Sequence, residues 1–503
     1  MTDDTFSANP LWDRFARWAP LLFVAVAFLC WGGRTLWDTS EARYGQAAYE
    51  MIHAHNWLMP ALGGQPHLTK PPLSYWLMAL GMELFGINAW GARFFLSASF
   101  LATIFAVQQL ARSMGFEPRK ALAAALIYAT AAIPFAGGHT LTTDGFLVLW
   151  ETMGVLAAWQ VWRGTPERRS RWRLIFWAAF GLAFLTKGPP GWLPLLAIAS
   201  FLWLRSDKNR ARLFSGTGLF LFLIISFSWY GLMVWQHHDL LGYFLKDEVY
   251  KRVFTTEHHR NAPFWIYPPI LLAGVGPWMV LWPWLGRQWW QYRPSTGKRL
   301  DDWQLFCLLW LLISLLIFTI SKSRLIFYVL PLFVPLSLAL SQVLIDELLP
   351  RLSNHVGWRR GALSVTVVWT TVMVIYTGGM ELFTTTRSLR PAARVFREAI
   401  AEEATPSQLY WLWAGKQRYS LAFYMHQVVR DTETVRPLQE TTPQPLYVTE
   451  EQVFAAAGRD GRLAANGRPR VLATAQGYVL FAMEPAQQPT PPTETPSGAR
   501  STP

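Results

Sequence analysis

Long apolar runs alternate along this chain with short connections rich in charge. A helix that crosses a bilayer needs roughly 20 mainly apolar residues. Runs near 18–36, 91–111, 121–137, 145–162, 173–186, 190–204, 213–235, 264–285, 303–320, 325–345 and 361–380 reach or approach that length. They predict a mainly α, polytopic membrane protein with about eleven transmembrane helices. Long connections at 37–90 and 237–262 fall on one side, with short ones near 138–144, 187–190 and 321–324. Beyond residue 380 the pattern changes. Gln408–Trp413, Pro445–Thr449 and Arg470–Thr474 read as strands and Ala392–Glu403 as a helix. The sequence therefore predicts a transmembrane domain over 1–380, a small C-terminal soluble α/β domain over 381–485, and a disordered Pro- and Thr-rich tail over 486–503. It contains no internal repeat.

Composition narrows the class. The 503 residues are 52% hydrophobic and 15% charged, with 28 Trp and 32 Phe, whereas soluble domains carry about 25% charged residues. An ordinary cytosolic enzyme is excluded, and so is a disordered chain. The net charge of +13 is spread in short clusters between apolar runs rather than along one face, which argues against nucleic acid. Cys30 and Cys307 both lie in apolar runs, so neither a disulfide framework nor a thiolate metal site is expected. With Asp3 and Asp4 ahead of it and no small-residue cleavage site, the first run reads as an anchor.

Charge also orients the chain. Nineteen Lys and Arg between Arg112 and Arg360 lie in one alternate set of connections, against nine in the other. The richer set belongs in the cytoplasm. The N-terminus is then cytoplasmic, and loops 37–90 and 237–262 and everything after residue 380 lie outside.

Ionisable groups at the outer membrane edge are costly and mark function. Loop 37–90 carries Asp38, Glu41 and Arg43 just after the first span, then Lys70 before Pro71-Pro72. Asp38 and Glu41, three apart, share a face if a helix begins there, with Thr39 or Ser40 as its cap. Asp144 opens an apolar run, where a first-turn acid is the plainer reading. Lys187 precedes Gly188-Pro189-Pro190, and Lys322 and Arg324 occupy another outer turn followed by Tyr328. Taken singly, each cation reads as an interfacial anchor. Together with Arg252, five cations on a cation-poor side make a phosphate cradle.

Several runs resemble one family. They are Ser40-Glu41-Ala42-Arg43-Tyr44, Asn56 to Pro60, Lys70-Pro71-Pro72 with Tyr75-Trp76, Thr143-Asp144-Gly145, Leu185 to Pro189, Glu248 to Arg252, and Ser321 to Arg324 with Tyr328 to Pro331. They are similar to those of the bacterial GT-C glycosyltransferases that use polyprenyl-phosphate sugars. These are relatives of protein O-mannosyltransferases, and the lipid A aminoarabinose transferases are the best-defined type. The resemblance covers roughly residues 20–345. Two positions depart from it: Ser40 stands where the aminoarabinose transferases have Asp, and Thr69 where they have Glu.

The resemblance implies a multi-pass enzyme of the bacterial inner membrane. It would move a sugar from a polyprenyl phosphate to lipid A, another envelope glycan or, less in keeping, a protein. Inversion at the anomeric carbon is expected. Glu41, Asp144 and Asp38 are the catalytic candidates. Lys70, Lys187, Arg252, Arg43, Lys322 and Arg324 are the donor-phosphate candidates, and Tyr44, Tyr75, His258 and Tyr328 the substrate-binding ones. No cofactor is required, because the carrier phosphate is already a good leaving group. A divalent metal held by Asp38, Glu41, Asp144 and His139 stays an alternative, although their spacing fits no tight ligand motif. A polyprenyl-lipid transporter and an envelope scaffold are the rival readings. Transporters place their sites near the midplane and tend to show inverted repeats.

Overall fold

The computed structural model describes residues 10–30, 32–38, 40–205, 213–251, 262–292, 299–353, 357–379, 387–403, 407–413, 418–435, 444–463 and 467–484. The chain forms two compact units, Met1–Arg387 and Ser388–Pro503. Arg252, His258 and the expected tail lie outside the described residues.

The first unit is a helical bundle. It begins with α1 (Pro10–Ala27), α2 (Glu41–His53) and a hairpin of β1 (Ala61–Leu62) and β2 (Gln65–Pro66), followed by α3 (Leu73–Phe85) and α4 (Ala89–Ser113). Next come α5 (Pro118–Thr130), α6 (Ala132–His139), α7 (Thr143–Arg163), α8 (Pro166–Lys187), α9 (Leu193–Leu204) and α10 (Gly216–Gln236). Apolar helical segments continue to Gly379. Among the described residues, five helices are long and apolar enough to cross a membrane, and seven if each of two bent pairs counts as one span. The protein is thus a multi-pass membrane protein. The remaining expected spans have physical reasons to fall short. Helices α7 and α8 have 21 and 22 residues, but Asp144 and Glu151 interrupt one and Arg168, Arg169, Arg171 and Arg173 the other. Asp13, Arg14 and Arg17 lower the apolarity of α1, and α9 has only 12 residues.

Both bends follow from backbone chemistry. The axis turns 61° between α5 and α6. Pro134 has no N–H, and its ring would strike the carbonyl four residues earlier, that of Thr130, if the helix ran on. The freed Thr130 carbonyl instead accepts from the Trp369 indole N–H at 2.7 Å. The second bend, 99° between Tyr267–Gly274 and Gly276–Trp290, turns at Gly276, whose φ is +63°. A Cβ there would meet the same Trp369 ring at 2.6 Å. One indole therefore packs into both breaks, as burial of irregular backbone in a membrane requires.

Close packing elsewhere depends on absent side chains. A Cβ on Gly81 would sit 2.2 Å from the Gly91 carbonyl oxygen, so α3 and α4 approach backbone to backbone. The Asn88 side chain caps α4, accepting from Trp90 N at 2.8 Å and Gly91 N at 3.0 Å. At the α7 C-terminal end, Arg163 and Arg205 both pair with Asp302, Arg205 at 2.8 Å.

The second unit holds a mixed sheet of β3 (Ser407–Leu412), β4 (Arg430–Thr432), β5 (Gln444–Glu450), β6 (Arg468–Ala475) and β7 (Tyr478–Glu484), in spatial order β4-β3-β5-β7-β6. Strand β3 runs parallel to β4 and β5, while β7 is antiparallel to β5 and β6. Alternation sends Leu409 and Trp411 to one core with Phe396 and Leu421, and Tyr410 and Leu412 to the other with Phe481 and Ala457. The strands expected at Gln408–Trp413, Pro445–Thr449 and Arg470–Thr474 are there, each within two residues of the reading at its ends.

Candidate active site

Two of the candidate residues, Asp144 and Lys187, meet at the end of the bundle where α7 begins and α8 ends. Helix α2 starts at Glu41 with Ser40 at the cap position, although the Ser40 side chain makes no capping hydrogen bond. Asp38 therefore precedes the helix and does not share a helical face with Glu41. Its backbone N–H donates to the Arg387 carbonyl at 2.9 Å.

Glu41 is 1% exposed, and both of its carboxylate oxygens are taken. Oε1 accepts from Arg34 Nη2 at 3.1 Å, Arg93 Nη2 at 3.0 Å and the Leu141 N–H at 2.7 Å. Oε2 accepts from Arg34 Nη1 and, at 3.3 Å, from the Trp37 N–H. Burial pushes this carboxyl upward, but the Arg34 and Arg93 charges and the hydrogen bonds win and hold it at about 2. It stays ionised and is fully engaged by the chain itself.

Asp144 occupies the first turn of α7, where the helix dipole favours a carboxylate. It forms a buried ion pair with Lys187, the last residue of α8. Gly188, at φ +76°, and then Pro189 end that helix, so the ammonium sits at a fixed terminus. Lys187 Nζ lies 4.3 Å from the centroid of the Tyr328 ring, a cation–π contact, and within electrostatic reach of Tyr44. Tyr44 and Tyr75 have ring centroids 5.9 Å apart, and the Tyr75 phenol sits close to Arg43, Thr69 and Glu248. Arg43 packs its guanidinium over the Tyr44 ring at 5.5 Å, and its buried Nε has no acceptor among the described residues. Lys70 is buried next to Thr69, whose hydroxyl is 3.0 Å from His67 Nε2. Contacts thus link Asp144, Lys187 and Tyr328 in one group and Arg43, Tyr44 and Tyr75 in another, with Tyr44 within electrostatic reach of Lys187.

The remaining candidates are placed differently. Arg324 donates to the carbonyls of Ala262 at 2.7 Å and Thr319 at 2.8 Å, so it clasps backbone. Lys322 is exposed. His139 is buried, and its Nδ1 lies 2.8 Å from the Phe135 carbonyl. Among the described residues, no group of three or more His, Cys, Asp or Glu could hold a metal ion. Glu41 and Asp144 face Arg and Lys instead, and the grouping considered from sequence does not form.

Four charged residues near the site escaped the sequence reading. Arg34 and Arg93, each 1% exposed, lie inside or beside apolar runs and drop out of a count made only on loops. Glu151 is buried two turns beyond Asp144 on α7 and within electrostatic reach of Lys187; a carboxylate inside a span was its signal. Glu50 accepts from Gly63 N and Gly64 N, both at 2.9 Å. Both glycines have positive φ, +62° and +73°, as the tight turn of the β1–β2 hairpin requires. Near this hairpin a cavity of about 350 Å³ is lined by Met59, Pro66, Leu68, His237, Asp239, Leu240 and Tyr243. The Tyr243 hydroxyl donates to Glu248 at 3.1 Å.

This fold is that of the GT-C membrane glycosyltransferases, and residues 69–230 match the model of the family described as dolichyl-phosphate-mannose-protein mannosyltransferase. The crystal structure of ArnT from Cupriavidus metallidurans bound to undecaprenyl phosphate aligns with a TM-score of 0.75 at 22% identity, over 92% of this chain and 97% of that one. The archaeal oligosaccharyltransferase AglB of Archaeoglobus fulgidus, in complex with an inhibitory peptide and a dolichol-phosphate, aligns at 0.53 with 12% identity, over 95% and 75% of the two chains. In sequence, undecaprenyl phosphate-alpha-4-amino-4-deoxy-L-arabinose arabinosyl transferase 2 of Pseudomonas fluorescens is 32% identical over 342 residues, 66% of this chain and 60% of its own length. The corresponding transferase of Edwardsiella ictaluri is 32% identical over 337 residues, 65% and 59% of the two. The chain spans about 60% of the length of the curated relatives it matches. The likeness read from the motifs around Glu41, Lys70, Asp144 and Lys187 is thus found in both sequence and fold.

Proposed function

We propose that this protein is an integral-membrane glycosyltransferase that moves a sugar from a polyprenyl-phosphate carrier to an envelope acceptor, lipid A or another glycan, outside the cytoplasmic membrane. One observation supports the reading: the buried Lys187–Asp144 pair, with the Tyr328 ring beside it, lies within electrostatic reach of Tyr44 on α2, whose ring stands next to Tyr75 and Arg43. A buried lysine beside a carboxylate suits a displacement that releases phosphate.

In this scheme the bond from the anomeric carbon to the carrier phosphate breaks, and its electron pair goes to the phosphate oxygen. Lys187 and Arg43, joined by Lys70, stabilise that charge as it develops. The acceptor oxygen attacks the opposite face and inverts the centre. Asp144 orients the acceptor and receives its proton once the phosphate draws Lys187 away. Tyr44, Tyr75 and Tyr328 wall the sugar, and the cavity lined by His237, Asp239 and Tyr243 admits the acceptor. Arg252 and Lys322 are proposed to bind the donor phosphate, His258 the substrate, and Asp38 to assist the acceptor. Glu41 and Arg324 shape the site rather than react, because the chain already occupies Glu41's oxygens and Arg324's terminal nitrogens. No step draws on a cofactor. The site end faces outward, as the distribution of Lys and Arg favours.

The test is cellular. Expressed in a bacterium that lacks it, the protein should add the mass of one sugar to an envelope lipid or glycan, and a periplasm-dependent reporter fused after residue 380 should be active. No added mass on lipid, glycan or protein would overturn the transferase reading.

A further inference from the structure

Three consecutive residues just before α7 are each held by a different part of the bundle. The His139 carbonyl accepts from Arg34 Nη2 at 3.1 Å. The Thr140 hydroxyl shares a 2.6 Å hydrogen bond with the Tyr376 hydroxyl. The Leu141 N–H donates to Glu41 Oε1 at 2.7 Å. Thr142 then takes an extended conformation and α7 begins at Thr143, so Asp144 lies three residues beyond the last tether.

The tethers are themselves fixed. Arg93 reaches from α4 to the carbonyls of Arg34 at 2.6 Å and Thr35 at 3.0 Å while also holding Glu41. The Arg34 guanidinium is stacked over Trp37 at 4.1 Å and faces Tyr376 at 5.6 Å. Arg34, Arg93 and Glu41 are each 1% exposed, so none of them is placed to touch a substrate. Glu41 is also the first residue of α2, two positions before Arg43. A single carboxylate therefore ties the helix that carries Arg43 to the turn that launches Asp144.

We propose that Arg34, Arg93 and Tyr376 are positioning residues: with Glu41 they form a clamp on the 139–141 turn that sets Asp144 against Lys187 and fixes its distance from Arg43. The inference rests on the roles given above to Asp144 and Arg43. A buried cluster that satisfies a turn residue by residue makes a displacement of the following side chain costly. A misplacement of about 1 Å at a reacting group lowers rate by about a hundredfold.

Tyr376→Phe tests it, since it removes one oxygen and keeps the ring that faces Arg34. Sugar transfer should show kcat lowered about three- to tenfold with the donor KM unchanged, consistent with loss of one neutral hydrogen bond of about 0.5–1.5 kcal/mol. Amide hydrogen exchange should quicken over residues 140–144 and nowhere else in the bundle. Arg93→Lys, which keeps charge but cannot grip two carbonyls and a carboxylate together, should give the same split with a larger loss. It also serves as the second variant if Tyr376→Phe does not accumulate. Unchanged kcat in both variants, or lowered kcat without local exchange, would overturn the clamp. Exchange is read without turnover, so it decides the clamp even if the unsubstituted protein transfers no sugar and the function proposed above fails.

Discussion

Lys187→Ala is expected to lower sugar transfer at limiting donor by about ten- to a hundredfold at matched amounts of folded protein. The substitution has two costs. A charge-assisted contact to the departing phosphate is worth about 1.5–3 kcal/mol, or about ten- to a hundredfold in rate. The substitution also strands Asp144, whose pair with Lys187 is buried; breaking such a pair costs about 3–5 kcal/mol. That second cost falls on folding, and a double variant separates it from the first. Asp144→Asn with Lys187→Met removes both charges together and should recover yield and thermal midpoint while transfer stays lost. Normal turnover of Lys187→Ala, with matched amounts of folded protein, would reduce this lysine to an interfacial anchor.

Glu41→Gln should be nearly as damaging, by another route. The amide cannot balance Arg34 and Arg93, and its N–H₂ group must face either the Arg34, Arg93 and Leu141 donors at one oxygen position or the Arg34 and Trp37 donors at the other. A lower thermal midpoint at pH 7 and a fall in kcat should therefore come together. The unsubstituted protein should show a matching acid branch. Its Glu41 titrates near 2 in the folded state against an ordinary 4.5. A lowered folded value means that this stabilisation is complete above about pH 4.5 and is lost as pH falls towards 2, with a size on the order of 3 kcal/mol. Thermal midpoints measured between pH 7 and 2.5 should bend downward below about pH 4.5, and in Glu41→Gln this contribution to the bend should vanish. A Glu41→Gln protein with the same midpoint and the same turnover would contradict both the clamp and the burial argument.

Periodicity located the apolar helices because lipid selects for unbroken apolar length, and α4, α10 and the helices after residue 300 answer to that rule. It could not find α2, whose Glu41-Ala42-Arg43-Tyr44-Gly45-Gln46 run is polar yet buried against protein. Loop 37–90 thus contains two helices and a hairpin. For the hairpin, the Gly63-Gly64 pair was a readable turn signal. The bends were legible in principle from Pro134 and Gly276, but not the tryptophan that fills both, since nothing local connects Trp369 to Thr130.

The candidate site was legible as a set of cations in connections expected to be cation-poor, which is how Lys70 and Lys187 stood out along with Arg252, Lys322 and Arg324. Arg34 and Arg93 lie within apolar runs and not in loops, so a count of loop charges hides them and leaves Glu41 without its partners. A carboxylate two residues from Arg43 looks like a reacting acid in one dimension. In three dimensions its neighbours are two arginines from other segments and an amide a hundred residues away.

The most direct measurement is release of polyprenyl phosphate by the purified protein from a polyprenyl-phosphate sugar carrying label in the lipid. Released carrier should appear one for one with sugar on an added envelope-lipid extract, and Lys187→Ala should suppress both. Binding of the donor with no cleavage over hours, by protein that remains folded and with acceptor present, would contradict the transferase reading.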